Sequence, residues 1–219
     1  MLSRREKEYL ASRDYWTPLK PLALFYRHRL ELALTRALRR ESVSLEGKRL
    51  LEDGCGRGDL LRQLLEFGAE PKLCVGVDHA AEALRECRER TAPTALVQAA
   101  AERLPFAAEA FDVVVQGLLF SSLPLGASRA EAAEEIGRVL KPGGVFIWYD
   151  TLEPGAGKLR GLTLPEIEEL FPAWPRAVYK FGLKFNWVHF LVNKWLWLAQ
   201  TLASLGLARS HYVIIMRRP

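Results

Sequence analysis

The sequence predicts an α/β protein in which a mostly parallel sheet carries helices on its faces. Three observations lead there. The run Leu50-Leu51-Glu52-Asp53-Gly54-Cys55-Gly56-Arg57-Gly58 ends an apolar stretch in two acids and then places glycine at alternate positions. Leucines 60, 61, 64 and 65 follow at helical spacing, so the segment reads as strand, tight turn and helix. Further short apolar runs then recur between helical stretches, as parallel strands joined by crossover helices require.

The elements follow in order. Pro21 to Arg40 has apolar Leu22, Phe25, Tyr26, Leu30, Leu34 and Leu38 on one helical face, with Arg29, Arg36 and Arg40 on another. It is expected to lie over a cofactor cleft, with Tyr15 and Trp16 as candidate pocket aromatics. Lys72 to Asp78 is a second buried strand ending in an acid, Ala80 to Arg90 a helix, and Thr94 to Gln98 a third strand. Phe111 to Val115 and Val145 to Asp150 are the fourth and fifth. Ser128 and Glu131 have capping-box spacing and open a helix running to Leu140. Thr163 and Glu166 repeat that spacing, with Pro165 in the first turn. Gly155 to Gly161 is a connector. Residues 186–205 read as one mostly apolar helix with a polar stripe of Asn186, His189, Asn193, Gln200 and Ser204. Its uses are core packing, an apolar pocket wall or a membrane surface. His211 to Arg217 reads as the last strand.

Glycine spacing bears on the ligand. A dinucleotide turn needs glycine or alanine at its third position, close to a pyrophosphate. Here that position is Asp59, which would repel it. The acids before the turn favour a ligand with cationic or donor groups. An acid, one residue and G-x-G-x-G resembles motif I of the class I S-adenosylmethionine-dependent methyltransferases. Asp78 at the end of strand two, Ala99 to Phe106, Phe111 to Val115 and Leu140-Lys141-Pro142-Gly143-Gly144 resemble the later motifs in order and spacing. The resemblance spans roughly residues 48–150.

That resemblance implies a three-layer Rossmann-like sandwich whose seven-stranded sheet has order 3-2-1-4-5-7-6, the last strand antiparallel. Residues 1–47 would form a helical lid, 48–150 the cofactor core, and 151–219 the acceptor side of a single domain. S-adenosylmethionine would be the cofactor and S-adenosylhomocysteine the product. Glu52 would lie near the methionine amino group, with Gly54, Cys55, Gly56 and Gly58 making room. Asp78 would hold the ribose hydroxyls. His79, Ala101, Glu102 and Gln116 complete the candidate set. Family members usually carry an acid that accepts from the adenine amino group, where this chain has Ala100. One lost hydrogen bond costs about 0.5–1.5 kcal/mol, so weaker cofactor binding is expected.

Charge is unevenly distributed. Residues 1–49 hold 12 basic and 6 acidic side chains, 50–169 hold 12 and 20, and 170–219 hold 7 and none, summing to +5. An acidic body suits a sulfonium cation. Basic flanks suit an anionic acceptor or membrane surface. The three cysteines, Cys55, Cys74 and Cys87, have no metal or redox spacing, are expected reduced, and no metal site is expected. The first residues show no apolar signal region, so a cytoplasmic location is expected.

The favoured activity is methylation of a small-molecule or lipid-like acceptor, anionic or apolar, by O-methylation through in-line displacement. The catalytic base is not identifiable; His189, Asp150 and Tyr149 are candidates. An RNA methyltransferase and a non-catalytic S-adenosylmethionine-binding protein are the alternatives. Nucleic acid is disfavoured because no added RNA-binding domain and no Asn-Pro-Pro-Tyr-like segment follows strand four, where Gln116-Gly117 stands. An NAD-dependent oxidoreductase is disfavoured by Asp59. The sequence leaves acceptor identity and oligomeric state open.

Overall fold

A computed structural model describes residues 20–219 except 93, 125, 153–159, 207 and 208, and except the side chains of 185–187 and 189. The expectations placed on Tyr15, Trp16, most of the Gly155 to Gly161 connector and the His189 side chain lie outside the described residues.

Seven strands form one sheet: β1 (Leu50–Asp53), β2 (Cys74–Asp78), β3 (Ala95–Gln98), β4 (Phe111–Gly117), β5 (Leu140–Thr151), β6 (Arg176–Phe181) and β7 (His211–Arg217). Their order is β3-β2-β1-β4-β5-β7-β6, as the resemblance implied. β1 to β5 pair in parallel, and β7 runs antiparallel to both β5 and β6. The central strands are buried on both faces. That is why Val113–Val115 of β4 and Val145–Tyr149 of β5 are continuous apolar runs rather than alternating ones, while β1 follows its two leucines with two buried acids.

The helices are α1 (Pro21–Arg40), α2 (Asp59–Glu66), α3 (Ala81–Arg90), the short α4 (Leu119–Ser122), α5 (Ala127–Val139), α6 (Leu164–Leu170), α7 (Phe185–Val192) and α8 (Leu196–Ser204). On one face Leu30, Leu34 and Leu38 of α1 and Leu61 and Leu64 of α2 pack on Leu50, Val113, Val115, Ile147 and Val213. On the other, Ala132, Ile136 and Val139 of α5 and Ile167 of α6 pack on Leu51, Val114, Phe146 and Trp148. Phe120, Phe146, Trp148 and Phe171 interlock there, Phe120 and Trp148 with ring centroids 4.5 Å apart. α1 packs against β6 and β7, and its first turns meet α7 and α8.

The Thr163 capping box forms in full: Thr163 Oγ1 accepts from the Glu166 amide, and the Glu166 carboxylate accepts from the Thr163 amide at 2.8 Å. The Ser128 box does not form. Helix α5 begins two residues earlier, capped by Gly126 at φ 87°, a conformation open to glycine, and Ser128 lies inside the first turn. The expected single helix at 186–205 is two helices. The chain breaks at Asn193–Trp195, where Trp195 takes φ −140° and ψ 64°. Breaking there lets Val188, Leu191 and Val192 on α7 and Ala199 and Ala203 on α8 bury against one cluster of Leu22, Phe25 and Tyr26.

Candidate active site

The glycine loop links β1 to α2 at the carboxyl edge of the sheet, where α/β folds hold their ligands. Gly54, Gly56 and Gly58 have φ of 75°, 52° and 76°, which L side chains adopt only with strain. Their surroundings differ. A Cβ on Gly58 would fall 2.5 Å from Thr91 Cγ2 and 2.6 Å from Cys87 Sγ, so this glycine lets the loop touch α3. A Cβ on Gly56 would meet nothing within 4 Å; this glycine faces open space. Gly54 abuts Leu119, its Cβ position 3.1 Å from Leu119 Cδ1.

Asp78 spans the loop and the next helix. Its Oδ2 accepts from the Gly56 amide at 2.8 Å and its Oδ1 from the Ala80 amide at 2.9 Å. Each carboxylate oxygen can accept again, so both remain available to ligand hydroxyls. His79 is half exposed, with Nδ1 3.4 Å from Asp78 Oδ1.

Glu52 and Asp53 are buried side by side with Gly76 and Val77 on one flank and Val115 and Gln116 on the other. Burial drives the Glu52 carboxyl well above the carboxylate range, and the nearby Cys87, Asp78 and Asp59 add to this. Burial, then Asp78 and Glu102, push Asp53 up to about 7. Among the described residues, Glu52 Oε2, Asp53 Oδ2 and Gln116 Nε2 are buried with no hydrogen-bond partner. Three orphaned polar atoms at one strand edge are costly. A ligand carrying a cation and hydrogen-bonding groups satisfies them, and S-adenosylmethionine has both. These residues therefore fit it. Ala101 is buried beyond β3 and Glu102 is partly exposed near Asp53, while Ala100 is exposed and offers no acceptor. Cys55 donates its amide to Val77 O at 2.8 Å and its thiol lies by Cys87; all three cysteines are free. Among the described residues, no group of three or more His, Cys, Asp or Glu has metal-binding arrangement.

The structure also brings together four rings that the sequence reading did not join. Tyr26 of α1, Tyr149 of β5, Phe181 of β6 and His211 of β7 meet at the same edge. His211 stacks on Tyr149 and Phe181 at 5.8 and 5.7 Å and meets Tyr26 at 4.8 Å. Its Nδ1 is 2.7 Å from Ser210 Oγ. Burial lowers the His211 imidazole to about 4, so it is neutral at physiological pH. Tyr149 lies beside Gly117, the residue after Gln116, which connects this cluster to the cofactor end of the sheet. The only hint in the sequence was a polar Ser210-His211 pair opening an apolar strand.

Of the earlier base candidates, Asp150 serves another purpose. Its Oδ2 accepts from the Ser121 amide and Trp148 Nε1, both at 3.2 Å, and its Oδ1 from the Thr151 amide at 2.8 Å. It pins α4 to β5. Tyr149 is fully buried, which raises its hydroxyl pKa and disfavours a phenolate base.

A seven-stranded sheet of this order, with an acid-lined glycine loop at its carboxyl edge, defines the class I S-adenosylmethionine-dependent methyltransferase fold. Residues 51–148, a little under half of the chain, match the family model described as a methyltransferase domain, and the chain is similar there to the class I S-adenosylmethionine-dependent methyltransferases. Demethylmenaquinone methyltransferase of Staphylococcus aureus strain MRSA252 is 29% identical over 144 residues, 64% of this chain and 55% of the relative. The chain thus matches about half the length of such curated relatives. Among solved structures, an S-adenosylmethionine-dependent methyltransferase from Mesorhizobium loti superposes with TM-score 0.62 at 18% identity, covering 85% of this chain and 98% of the other. One from Thermotoga maritima gives 0.64 at 16%, covering 97% of each. At those identities the likeness establishes the fold.

Proposed function

We propose that the protein methylates a small, hydroxylated ring compound, apolar or lipid-like in the rest of its structure, at oxygen. The observation that carries this reading is the Tyr26, Tyr149, Phe181 and His211 cluster at the edge where the cofactor residues end. Aromatic walls suit a planar apolar ring. A neutral imidazole suits a hydroxyl that must lose its proton. The similarity to an enzyme named for demethylmenaquinone supports a small-molecule acceptor.

S-adenosylmethionine, when bound, supplies an activated methyl group. Glu52 and Asp53 would hold its cationic end, Asp78 its ribose hydroxyls, and Gln116 and Glu102 further polar groups. Gly56 leaves the space. With Nδ1–H donated to Ser210, Nε2 of His211 is the acceptor for the acceptor's hydroxyl proton. The activated methyl would go from sulfur to the acceptor oxygen, and the His211 imidazole would take the hydroxyl proton. The rest of the protein's contribution is placement, since proximity and orientation alone reach about 7–11 kcal/mol in well-aligned systems. α1 with α7 and α8 forms the wall on the acceptor side.

The test is release of S-adenosylhomocysteine across a panel of phenols, quinols and RNA transcripts. Phenols or quinols should turn over and transcripts should not. His211→Phe should lower kcat by about 10²-fold or more while donor affinity by calorimetry stays unchanged. Turnover of transcripts alone, or an unchanged kcat in His211→Phe, would overturn the reading.

A further inference from the structure

The corner between α7 and α8 turns large apolar side chains in two directions. Inward, Val188, Leu191, Val192, Ala199 and Ala203 pack on α1. Arg29 fastens that seam by donating to Ser204 Oγ at 3.0 Å and to the Ala203 carbonyl at 3.2 Å. Outward, Phe190, Trp195, Trp197 and Leu205 are 59%, 45%, 67% and 69% exposed. Phe190 and Trp195 meet edge to face at 6.1 Å, and Lys194 Nζ stands 5.7 Å over the Phe190 ring. Trp197, Thr201 and Leu205 are four residues apart and continue the exposed stripe along α8. Two exposed tryptophans, a phenylalanine and a leucine on one corner are more than a folded surface normally leaves to water.

The charge around the corner narrows the occupant. Residues 170–219 contain seven basic side chains and no acidic one. Lys184, Lys194 and Arg209 are exposed near this corner in the chain, and Arg27 is exposed on α1 beside it. A second copy of the chain would set like charges against each other. A surface that is anionic and apolar beneath matches both properties. Tryptophan in particular settles at the boundary between headgroups and acyl chains. Among the described residues no helix is long and apolar enough to cross a membrane, so the contact would be one of lying on the surface.

We propose that the α7–α8 corner docks the protein onto an anionic phospholipid bilayer, with Phe190, Trp195, Trp197 and Leu205 entering the interface and Lys194 contacting headgroups. The inference stands apart from the identity of the methyl acceptor.

The experiment is co-sedimentation of the full chain with vesicles of phosphatidylglycerol and phosphatidylcholine mixed, against phosphatidylcholine alone, in low and high salt. Binding should favour the anionic vesicles and weaken as salt rises. Tryptophan emission should shift to shorter wavelength on binding. Phe190→Ser with Trp197→Ser should weaken binding about tenfold or more, with thermal unfolding and S-adenosylmethionine affinity unchanged. Lys194→Glu should also weaken it by about fivefold or more, because each basic group near such a surface adds about that factor. Three results would overturn the proposal: no sedimentation of wild type with anionic vesicles in low salt, equal binding by the double serine variant, or dimers in solution that the same two substitutions dissolve.

Discussion

At the β1–β2 end of the sheet three carboxylates, Glu52, Asp53 and Asp78, crowd one loop, and two of them are buried with orphaned oxygens. At the β5–β7 end Tyr149 and a neutral His211 are enclosed by rings, and the buried Asp150 beside them has its oxygens hydrogen-bonded to Ser121, Trp148 and Thr151. One end holds buried carboxyls with unpartnered oxygens, pushed toward the protonated form, which a cation would ionise and pair. The other is walled by rings, and its buried carboxyl, Asp150, is already hydrogen-bonded. On the function proposed above, the contrast separates two tasks in a single fold: gripping a charged donor, and holding a flat partner dry beside it.

The sharpest way to break this contrast is pH. Asp53 has a folded pKa near 7 against an ordinary 3.8, so between about pH 4 and 7 the folded state holds a proton that the unfolded chain releases. Stability without ligand should therefore fall as pH rises through that window, by up to about 4 kcal/mol for this group. Chemical denaturation at pH 5 and 8 measures it. Asp53→Asn should flatten the slope. S-adenosylmethionine affinity should move the other way and strengthen with rising pH, because a cation favours the ionised carboxylates. His211, lowered to about 4 from an ordinary 6.5, should contribute the opposite slope between about pH 4 and 6.5, where the unfolded chain binds a proton that the folded state does not, so the Asp53 share is read from the difference between wild type and Asp53→Asn.

Asp78→Asn comes next. Losing charge from the carboxylate that holds the Gly56 and Ala80 amides and would hold two ribose hydroxyls should cost about 3 kcal/mol of cofactor binding, roughly 100-fold by calorimetry. Equal affinity would move the cofactor away from this loop. The glycines then divide. Gly58→Ala should lower stability by about 2 kcal/mol or more, from left-handed strain plus collision with Thr91 and Cys87. Gly56→Ala should cost only the strain, about 1 kcal/mol of stability, yet impair cofactor binding, since its methyl occupies the open side of the loop. Identical behaviour of the two would remove the distinction between a packing glycine and a ligand-facing one. The smallest effect is Ala100→Asp, which should tighten S-adenosylmethionine binding by about 0.5–1.5 kcal/mol.

The two ends also differed in legibility. β1 to β5 could be read because the parallel strands are short apolar runs punctuated by acids and glycine, and the order of the sheet followed from the resemblance to the methyltransferase motifs. Asp53 and Gln116 are neighbours in register, but both stood out by position alone. The acceptor end resisted. His211 gains its meaning from Tyr26, Tyr149 and Phe181, which lie 185, 62 and 30 residues away in the chain. No local period encodes such a meeting. The break at Asn193–Trp195 has neither glycine nor proline to announce it. On either side of it Val188, Leu191, Val192, Ala199 and Ala203 keep the spacing of one continuous helical face, so periodicity does not mark the break. The two capping boxes make the same point: Thr163 has Pro165 to start its helix at the right residue, whereas Ser128 is pre-empted by Gly126.

The placement of β7 has a bearing on how the chain is made. β6 pairs with β7 alone, and β7 is synthesised after it. A nascent chain that has emerged as far as Thr151 already holds the five parallel strands and the donor loop. Arg176–Phe181 must then wait as an unpaired edge until His211–Arg217 leaves the ribosome and slides in between. Arrest of translation after α8 should therefore leave a half-built molecule whose nucleotide end is ordered and whose far edge is open to capture by chaperones.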